Sequence, residues 1–322
     1  SAHWELTYAC NLSCAHCYAT APRREEELGL PEIGRILDEL AGAGCLFLTF
    51  TGGEVFCRPD ILSVLAAARQ RNFAIRLLTN GTLVTREIAE RLAGLNLLRV
   101  DISLYAVDSE IHDRITGVPG SQAASASAVR LCRAAGIPVA VKTVFLKQNV
   151  GGFDALKRWA REEGVEFVFD YLLMRADDGS SPMDRHGLSD EEIRDFVTAH
   201  ATAGGEPPGA PDPADPVCGA GSSTLAISPC GDVFPCLGYR EVVGNLRREP
   251  LATVWRAPLL DRLHNARYDD YAQCRDCGKA AFCSRCPGWT RAECGRPFER
   301  SAVFCMAAEA AMKAAGALQG KK

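Results

Sequence analysis

Hydrophobic positions between residues 2 and 170 form short apolar runs that alternate with amphipathic stretches. The runs are almost continuously apolar, as in strands that are covered on both faces, and the stretches between them repeat their apolar residues at helical spacing. The pattern predicts helices at 31–43, 60–71, 85–93, 121–135 and 152–163, and strands at 3–9, 46–51, 74–79, 98–104, 139–145 and 165–173. This alternation indicates an α/β fold with a parallel sheet, either doubly wound or a partial (β/α) barrel.

The pattern changes after the next predicted helix, at 188–201, for which Ser189 is a plausible N-cap with Glu192 three positions on. Residues 204–216 contain five prolines and predict a semi-rigid linker. The cysteine-rich part that follows predicts a hairpin of 224–228 and 232–236, a helix at 251–264 and an alanine-rich terminal helix. We therefore expect three segments, at 1–203, 204–217 and 218–322.

Polar residues follow four of the predicted strands at the point where each strand ends. They are the cysteine loop after the first strand, Gly52-Gly53-Glu54 after the second, Asn80-Gly81 after the third, and Ser103 at the end of the fourth. Because parallel strands share one carboxyl edge, where α/β proteins bind their ligands, these features should converge.

Composition restricts the class of protein. The formal net charge is −4, which gives no reason to expect a nucleic-acid partner, and no apolar run is long enough for a membrane helix. Fifteen cysteines is an odd number in a chain of 322 residues, which argues against a secreted disulfide framework and for metal or redox chemistry. We expect a cytoplasmic protein with no membrane partner.

The cysteines form two groups with distinctive spacing. Cys10, Cys14 and Cys17 have a C-x3-C-x2-C spacing, which suits three irons of a cubane cluster and leaves the fourth iron without a protein ligand. In the second group, C-x2-C-x5-C-x2-C, a structural zinc site is an alternative, because thiolates alone do not distinguish zinc from iron–sulfur. Its members are Cys274, Cys277, Cys283 and Cys286.

These motifs resemble those of a known family. CNLSCAHCY, TGGE, LLTNGT and DISL are similar to the motifs of radical S-adenosylmethionine (SAM) enzymes. The segment from Cys218 to Cys305 resembles the SPASM extension, which carries auxiliary Fe–S clusters, although its C-x5-C-x2-C is one residue shorter than usual. The resemblance implies a partial (β/α)6 TIM-like barrel followed by a small cysteine-rich SPASM domain with a β-hairpin.

The resemblance also implies roles for residues at the strand ends. Cys10, Cys14 and Cys17 would ligate a [4Fe–4S] cluster whose fourth iron binds SAM. Glu54 would meet the methionyl ammonium, which Gly52 and Gly53 would allow the backbone to approach. The backbone of Tyr18 would lie at the adenine edge. Asn80 and Ser103 would donate or accept hydrogen bonds with SAM, and Lys142 would offset a carboxylate charge. The alternative is that these residues only cap strand ends or carry a solvated charge.

The resemblance also implies that the distal cysteines bind two auxiliary clusters. The nearer cluster would be held by Cys218, Cys236 and Cys286, with Cys230, Cys294 or no residue as its fourth ligand. The outer cluster would be held by Cys274, Cys277, Cys283 and Cys305. The remaining thiols, Cys45, Cys57 and Cys132, are expected to be structural.

The implied reaction is reductive cleavage of SAM to a 5′-deoxyadenosyl radical that abstracts hydrogen from a substrate. Members of this group mostly modify peptides, so we expect a maturase that installs a crosslink or related modification in a ribosomally made precursor peptide. Flavodoxin or ferredoxin would be the reductant, and a leader-recognition domain could precede Ser1. The alternatives are a tetrapyrrole decarboxylase of haem synthesis and, outside enzymes, a metal-binding scaffold or electron carrier.

Overall fold

A single open sheet of nine strands organises the molecule, which a computed structural model describes at residues 1–19, 26–176, 178–200 and 209–319. The strand order is β6-β5-β4-β3-β2-β1-β7-β8-β9, and every pair from β6 to β7 is parallel. The strands are β1 Ala2–Glu5, β2 Phe47–Thr51, β3 Ala74–Thr79, β4 Arg99–Ser103, β5 Val139–Val144, β6 Glu166–Asp170, β7 Leu225–Ile227, β8 Asp232–Phe234 and β9 Gly244–Asn245.

Helices follow the strands in alternation and cover one face of the sheet. In the first helix, α1, the residues at helical spacing are all buried, as the sequence predicts: Ile33, Ile36, Leu37 and Leu40. The helices are α1 Leu30–Gly42, α2 Ile61–Gln70, α3 Arg86–Ala93, α4 Ser109–Thr116, α5 Ser121–Ala134, α6 Phe153–Glu162, α7 Pro182–His186, α8 Asp190–His200, α9 Leu251–Val254, α10 Pro258–Asn265, α11 Pro287–Cys294 and α12 Ala302–Gln319.

The α/β class, the parallel sheet and all six predicted strands of the first part are confirmed, and the barrel is open rather than closed. The pattern of apolar residues does not predict α4. This helix begins where Asp108 Oδ1 accepts hydrogen bonds from the backbone amides of Glu110 and Ile111. The helix predicted at 251–264 is two helices, because Pro258 cannot donate a backbone hydrogen bond within one continuous helix.

The opposite face of the sheet is polar. Asp101 on β4 lies 2.6 Å from Arg99 and 3.4 Å from Arg76 on β3, and Lys142 on β5 lies within electrostatic range of it. Val100 and Ile102, which alternate with these residues on β4, are buried against the helices. The alternation puts charged side chains on the face away from the helices, below the carboxyl edge of the strands.

The cysteine-rich part continues the same sheet. The predicted hairpin is present as β7 and β8, and β7 pairs in parallel with β1, with Ala2 opposite Leu225. The terminal helix α12 packs back against α8. The predicted segments at 1–203, 204–217 and 218–322 stay predictions, and residues 201–208, including the start of the linker, lie outside the described residues. Among the described helices, none is long and apolar enough to cross a membrane.

Candidate functional site: three cysteine groups beside one cavity

The cysteine loop lies over the carboxyl ends of β1 and β2. Its start is held by the backbone amide of Glu54, which donates to the carbonyl oxygen of Ala9 at 2.7 Å. Its middle is held by the amide of Ser13, which donates to the carbonyl oxygen of Thr116 at 2.9 Å. The loop is therefore tied both to the end of β2 and to α4.

The thiols of Cys10, Cys14 and Cys17 lie within electrostatic range of one another. Burial, followed by the charges of Cys17 and Cys10, raises the pKa of the Cys14 thiol to about 12. All three are free thiols. Burial also raises the pKa of the Cys10 thiol. Three converging thiols fit a group that carries positive iron, because a coordinating thiol loses its proton to the metal.

Tyr105, just beyond β4, is a residue of this site that the sequence analysis misses. Its hydroxyl lies near the Cys14 thiol and Ser103, and its ring lies 4.7 Å from the ring of His16. Burial lowers the pKa of His16 to about 4, so the ring is neutral at pH 7. The only sequence signal for Tyr105 is its place two residues after the predicted strand-end Ser103.

Glu54 is buried with protein partners on both carboxylate oxygens. Oε1 accepts from the Thr79 hydroxyl at 2.6 Å and from the Phe56 amide at 3.1 Å, while Oε2 accepts from the Asn80 amide at 2.7 Å. Burial, the largest cause, raises the pKa of Glu54, and the three donors oppose that rise. The carboxylate that the sequence analysis assigns to the SAM ammonium thus joins the end of β2 to the end of β3.

Gly52 and Gly53 allow a close approach of two backbone segments. A Cβ on Gly53 would collide with the carbonyl oxygens of Ala9 and Tyr8, and Gly52 has a φ of +135° that disfavours other residues. The Gly53 amide donates to the Thr7 carbonyl oxygen at 2.8 Å. These contacts seat the start of the cysteine loop on the end of β2.

Asn80 links the third strand to the cysteine loop. Its side-chain amide donates to Asn11 Oδ1 at 3.0 Å and lies 4.0 Å from Cys10 Sγ. Its Oδ1 accepts from the Thr82 amide at 2.9 Å, and its carbonyl oxygen accepts from the Ser125 hydroxyl at 2.6 Å. These contacts position Asn80 as a support of the loop.

The other predicted SAM contacts lie at different places on the same edge. Ser103 and Lys142 are opposite each other in the β4–β5 register, and Lys142 is exposed. The Tyr18 hydroxyl donates to Glu5 Oε1 at 2.8 Å, and its ring lies 5.4 Å from the Arg240 guanidinium. Burial is the main cause that raises the pKa of Tyr18 well above its usual value.

The distal cysteines form two separate groups in space. In the nearer group, burial and then the Cys286 thiol raise the pKa of Cys236 to about 11, and Cys286 also raises the pKa of Cys218. In the outer group, burial and then Cys305 raise the pKa of Cys283 to about 11. The members of the outer group are within electrostatic range of one another: Cys274, Cys277, Cys283 and Cys305.

Cys230 and Cys294 are the remaining cysteines of the distal part. The Cys230 amide donates to Ser228 Oγ at 3.3 Å in the β7–β8 turn, and the Cys230 thiol lies within electrostatic range of Tyr8. Cys294 is exposed at the end of α11, where its thiol is 3.7 Å from the Arg300 carbonyl oxygen. In the described ranges, no three His, Cys, Asp or Glu side chains are arranged around a single metal ion.

A cavity of about 930 Å³ lies between the end of β6, the segment after β8, and helices α11 and α12. Cys286 of the nearer group lines it, and Tyr8, two residues before the cysteine triplet, lines its other side. Much of the remaining wall is aromatic: Phe169, Tyr171, Tyr239, Trp289 and Phe304. The cavity thus contacts one member of the nearer distal group and the segment that leads into the cysteine loop.

Two family profiles match the chain. The profile described as the Radical SAM superfamily matches residues 4–160, and the SPASM profile, described as an iron–sulfur cluster-binding domain, matches residues 218–278. The two matches lie on the two parts of the chain that hold the cysteine groups.

The curated proteins that are similar to this chain include a heme synthase and a bacteriocin biosynthesis protein. AdoMet-dependent heme synthase of Methanosarcina barkeri is 27% identical, over 88% of this chain and 89% of that protein. Antilisterial bacteriocin subtilosin biosynthesis protein AlbA of Bacillus subtilis is 29% identical, over 88% of this chain and 66% of that protein.

Solved structures share the fold. Streptococcus suis SuiB, solved with S-adenosylmethionine and with its precursor peptide SuiA, superposes with TM-scores of 0.72 and 0.73. In both forms the sequence identity is 19% and the match covers 94% of this chain, with 76% and 75% of the SuiB chain. At this identity the likeness shows a common fold.

Proposed function

The chain belongs to the radical SAM superfamily and carries an iron–sulfur cluster-binding SPASM domain, and we propose on this basis that it modifies a precursor peptide. It is an enzyme whose cofactors are a [4Fe–4S] cluster, SAM and auxiliary Fe–S clusters, so the scaffold and electron-carrier alternatives are set aside. When bound, the first cluster and SAM supply an electron and a 5′-deoxyadenosyl radical that takes hydrogen from a C–H bond.

The residues of the first site bind and orient these cofactors. Cys10, Cys14 and Cys17 are the proposed thiolate ligands, and the Tyr105 hydroxyl lies beside Cys14. Glu54 is proposed to act by holding the ends of β2 and β3, while Ser103 and Lys142 remain the proposed polar contacts to SAM. This division of roles is supported by the three donors, from Phe56, Thr79 and Asn80, that bind the Glu54 carboxylate.

The distal residues are proposed to hold two auxiliary clusters. Cys274, Cys277, Cys283 and Cys305 supply four thiolates to the outer cluster. Cys218, Cys236 and Cys286 would supply three to the nearer cluster, with Cys230, Cys294 or no residue as the fourth ligand. Of these three, Cys286 lines the cavity.

The cavity is the observation that carries the peptide proposal. Its aromatic wall suits apolar side chains, and each arginine in it is engaged by protein oxygens. Arg240 lies 3.0 Å from Glu5, Arg175 donates to the Ala292 carbonyl oxygen at 3.1 Å, and Arg291 lies 3.5 Å from Glu241. A substrate with several carboxylates would need unengaged cations in such a wall, whereas a peptide segment would not.

A second candidate is oxidative decarboxylation of a tetrapyrrole propionate. It is favoured by the similarity to AdoMet-dependent heme synthase, which extends over most of both chains. The peptide candidate is favoured by the similarity to AlbA and by the fold shared with SuiB, which was solved with a precursor peptide. In this sequence Leu237 follows Cys236, where sulfatase-maturing enzymes carry an aspartate, so that activity is not proposed.

The test is anaerobic incubation of the reconstituted enzyme with SAM and a reductant, for which we propose flavodoxin or ferredoxin. One reaction contains the peptide encoded next to the gene, and another contains iron coproporphyrin. We expect the peptide to lose two hydrogens as a crosslink forms, with 5′-deoxyadenosine as coproduct. Cys10→Ala protein serves as the matched control.

The mass change distinguishes the candidates. Loss of carbon dioxide from the tetrapyrrole, with an unchanged peptide, would reject the peptide proposal and support decarboxylation. An unchanged mass of both compounds, in an enzyme that still cleaves SAM, would reject both substrates.

A further inference from the structure

Tyr271 lies between the two distal cysteine groups. It is 1% exposed and packs in a small core with Val217 and Ala266, next to Cys274 of the outer group. Its ring meets the edge of Phe298 at a centroid distance of 5.5 Å, and the Arg285 guanidinium lies 5.9 Å from the ring. These contacts hold the tyrosine in one orientation.

The Tyr271 hydroxyl is buried without a hydrogen-bond partner among the described residues. The Thr290 hydroxyl is a neighbour, but it donates to the carbonyl oxygens of Cys286 and Pro287, each at 3.2 Å. A buried hydroxyl that lacks a partner destabilises the folded state. Such a group in a folded protein needs a physical explanation, and here its surroundings indicate one.

The surroundings are the thiols of the nearer group. Cys286 and Cys218 are both within electrostatic range of the Tyr271 hydroxyl. Cys236 completes this group, since it lies in range of Cys286 and Cys218. The unpartnered hydroxyl therefore lies in the same buried region as the thiols that would surround a cluster, and Val217, with which Tyr271 packs, directly precedes Cys218.

We propose that Tyr271 donates a hydrogen bond to a sulfur of the nearer auxiliary cluster and so raises the reduction potential of that cluster. The physical reason is that a donor near cluster sulfur stabilises the extra negative charge of the reduced state. Tyr271 is a positioning residue in this role, because it acts on the cluster and not on the substrate. The inference rests on the ligand set given above for the nearer cluster.

The test compares Tyr271→Phe with Tyr268→Phe in the reconstituted holoenzyme. Phenylalanine keeps the ring and removes only the donor, and Tyr268 is a matched control because its ring also lies close to Arg285, at 5.1 Å. The readouts are the iron content, the redox titration of each cluster followed by electron paramagnetic resonance, and the hyperfine coupling of exchangeable protons to the reduced clusters.

We expect Tyr271→Phe to keep the iron of the wild type and to shift the midpoint potential of one auxiliary cluster to a more negative value. The same cluster should lose the coupling of one exchangeable proton, and Tyr268→Phe should change neither readout. Unchanged potentials and couplings in Tyr271→Phe would overturn the proposal, as would the loss of one cluster's iron, since that would make Tyr271 a ligand or a structural residue. A wild-type protein without auxiliary iron would instead reject the ligand assignment on which the inference rests.

Discussion

Glu5 and Arg240 form a buried ion pair that joins the first strand to the segment that follows β8. The Arg240 guanidinium donates to both carboxylate oxygens, at 3.2 and 3.0 Å, and the Glu5 side chain is only 1% exposed. The guanidinium also lies 4.6 Å from the ring of Phe234. The pair therefore couples the two parts of the chain through a charge pair whose carboxylate is buried.

We predict that Arg240→Met lowers the free energy of unfolding by about 3–5 kcal/mol, because it leaves the Glu5 carboxylate buried without its partner. Arg71→Met is the control, since the Asp38 carboxylate that Arg71 pairs with is exposed and the loss of that pair should change the stability little. Urea unfolding of the apoprotein measures both. The double variant Glu5→Gln with Arg240→Met should recover part of the loss; no recovery would show that the charge pairing is not the cause.

The role of Glu54 is tested by Glu54→Gln. Because glutamine places an amide donor against Thr79, Asn80 or Phe56, we expect a loss of about 1–3 kcal/mol in unfolding free energy together with weaker SAM binding. Thr79→Val is the comparison that removes one donor and leaves the carboxylate. SAM affinity is measured by calorimetry and stability by thermal unfolding. Weaker SAM binding at unchanged stability would show that Glu54 contacts SAM directly.

The cysteine triplet is tested by Cys14→Ala. With one of three ligands missing, the first cluster should be lost or damaged, and SAM cleavage should fall to background. Cys57→Ala is the matched control, because Cys57 lies within electrostatic range of Cys10 but is not assigned as a ligand. The measurement is 5′-deoxyadenosine formed per chain. Cleavage retained by Cys14→Ala, or lost equally in Cys57→Ala, would contradict the assignment.

The outer cluster is tested by Cys283→Ala, which should lower the iron content by up to about four atoms per chain while some uncoupled SAM cleavage remains. Cys294→Ala should leave iron unchanged, since Cys294 is exposed and lies outside both distal groups. Iron and sulfide analysis after anaerobic reconstitution measures both variants. Equal iron in the wild type and Cys283→Ala would show that the ligand set is wrong.

His112 makes stability depend on pH. Burial lowers its pKa to about 4, and its Nδ1 accepts a hydrogen bond from the Tyr105 amide at 3.1 Å. In the unfolded chain this histidine has a pKa of about 6.5. Between pH 6.5 and pH 4 it is therefore protonated in the unfolded chain and neutral in the folded protein. The free energy of unfolding falls as the pH falls through this range, by up to about 3 kcal/mol. Above about pH 7 this histidine contributes no pH dependence.

The variant His112→Asn keeps an acceptor for the Tyr105 amide and removes the titration. Its unfolding free energy should decline less than that of the wild type between pH 6.5 and 4, as measured by urea unfolding of the apoprotein at each pH. Parallel pH profiles of the two proteins would exclude His112 as the source.

Much of the fold follows from periodicity along the chain. The buried stripe of α1 and the six parallel strands are predicted correctly, because the spacing of apolar residues records which face of each element is covered. The N-cap of α8 is also local: Ser189 and Glu192 exchange hydrogen bonds, at 2.7 Å from the Ser189 amide to the Glu192 carboxylate. The class of cofactor likewise follows from cysteine spacing within one short loop.

The functions of single side chains depend on contacts that spacing does not record. The sequence marks Glu54 as important, but its partners on β3 are chosen by the register of neighbouring strands. Nothing near Tyr271 in the sequence points to Cys218, from which it is separated by more than fifty residues. The division of the distal thiols into two groups was predictable only from family resemblance.

Residue spacing in this chain thus predicts the six strands and most helices of the first part, and the cysteine motifs, through the family they resemble, indicate the iron–sulfur chemistry. The tertiary structure decides how the two parts combine: β7 pairs with β1, and Arg240 reaches Glu5 across more than two hundred residues. It also encloses the cavity beside Cys286. The physical reason is that strand pairing, buried charge pairs and cavity walls are formed by residues distant along the chain, and only the folded sheet brings them together.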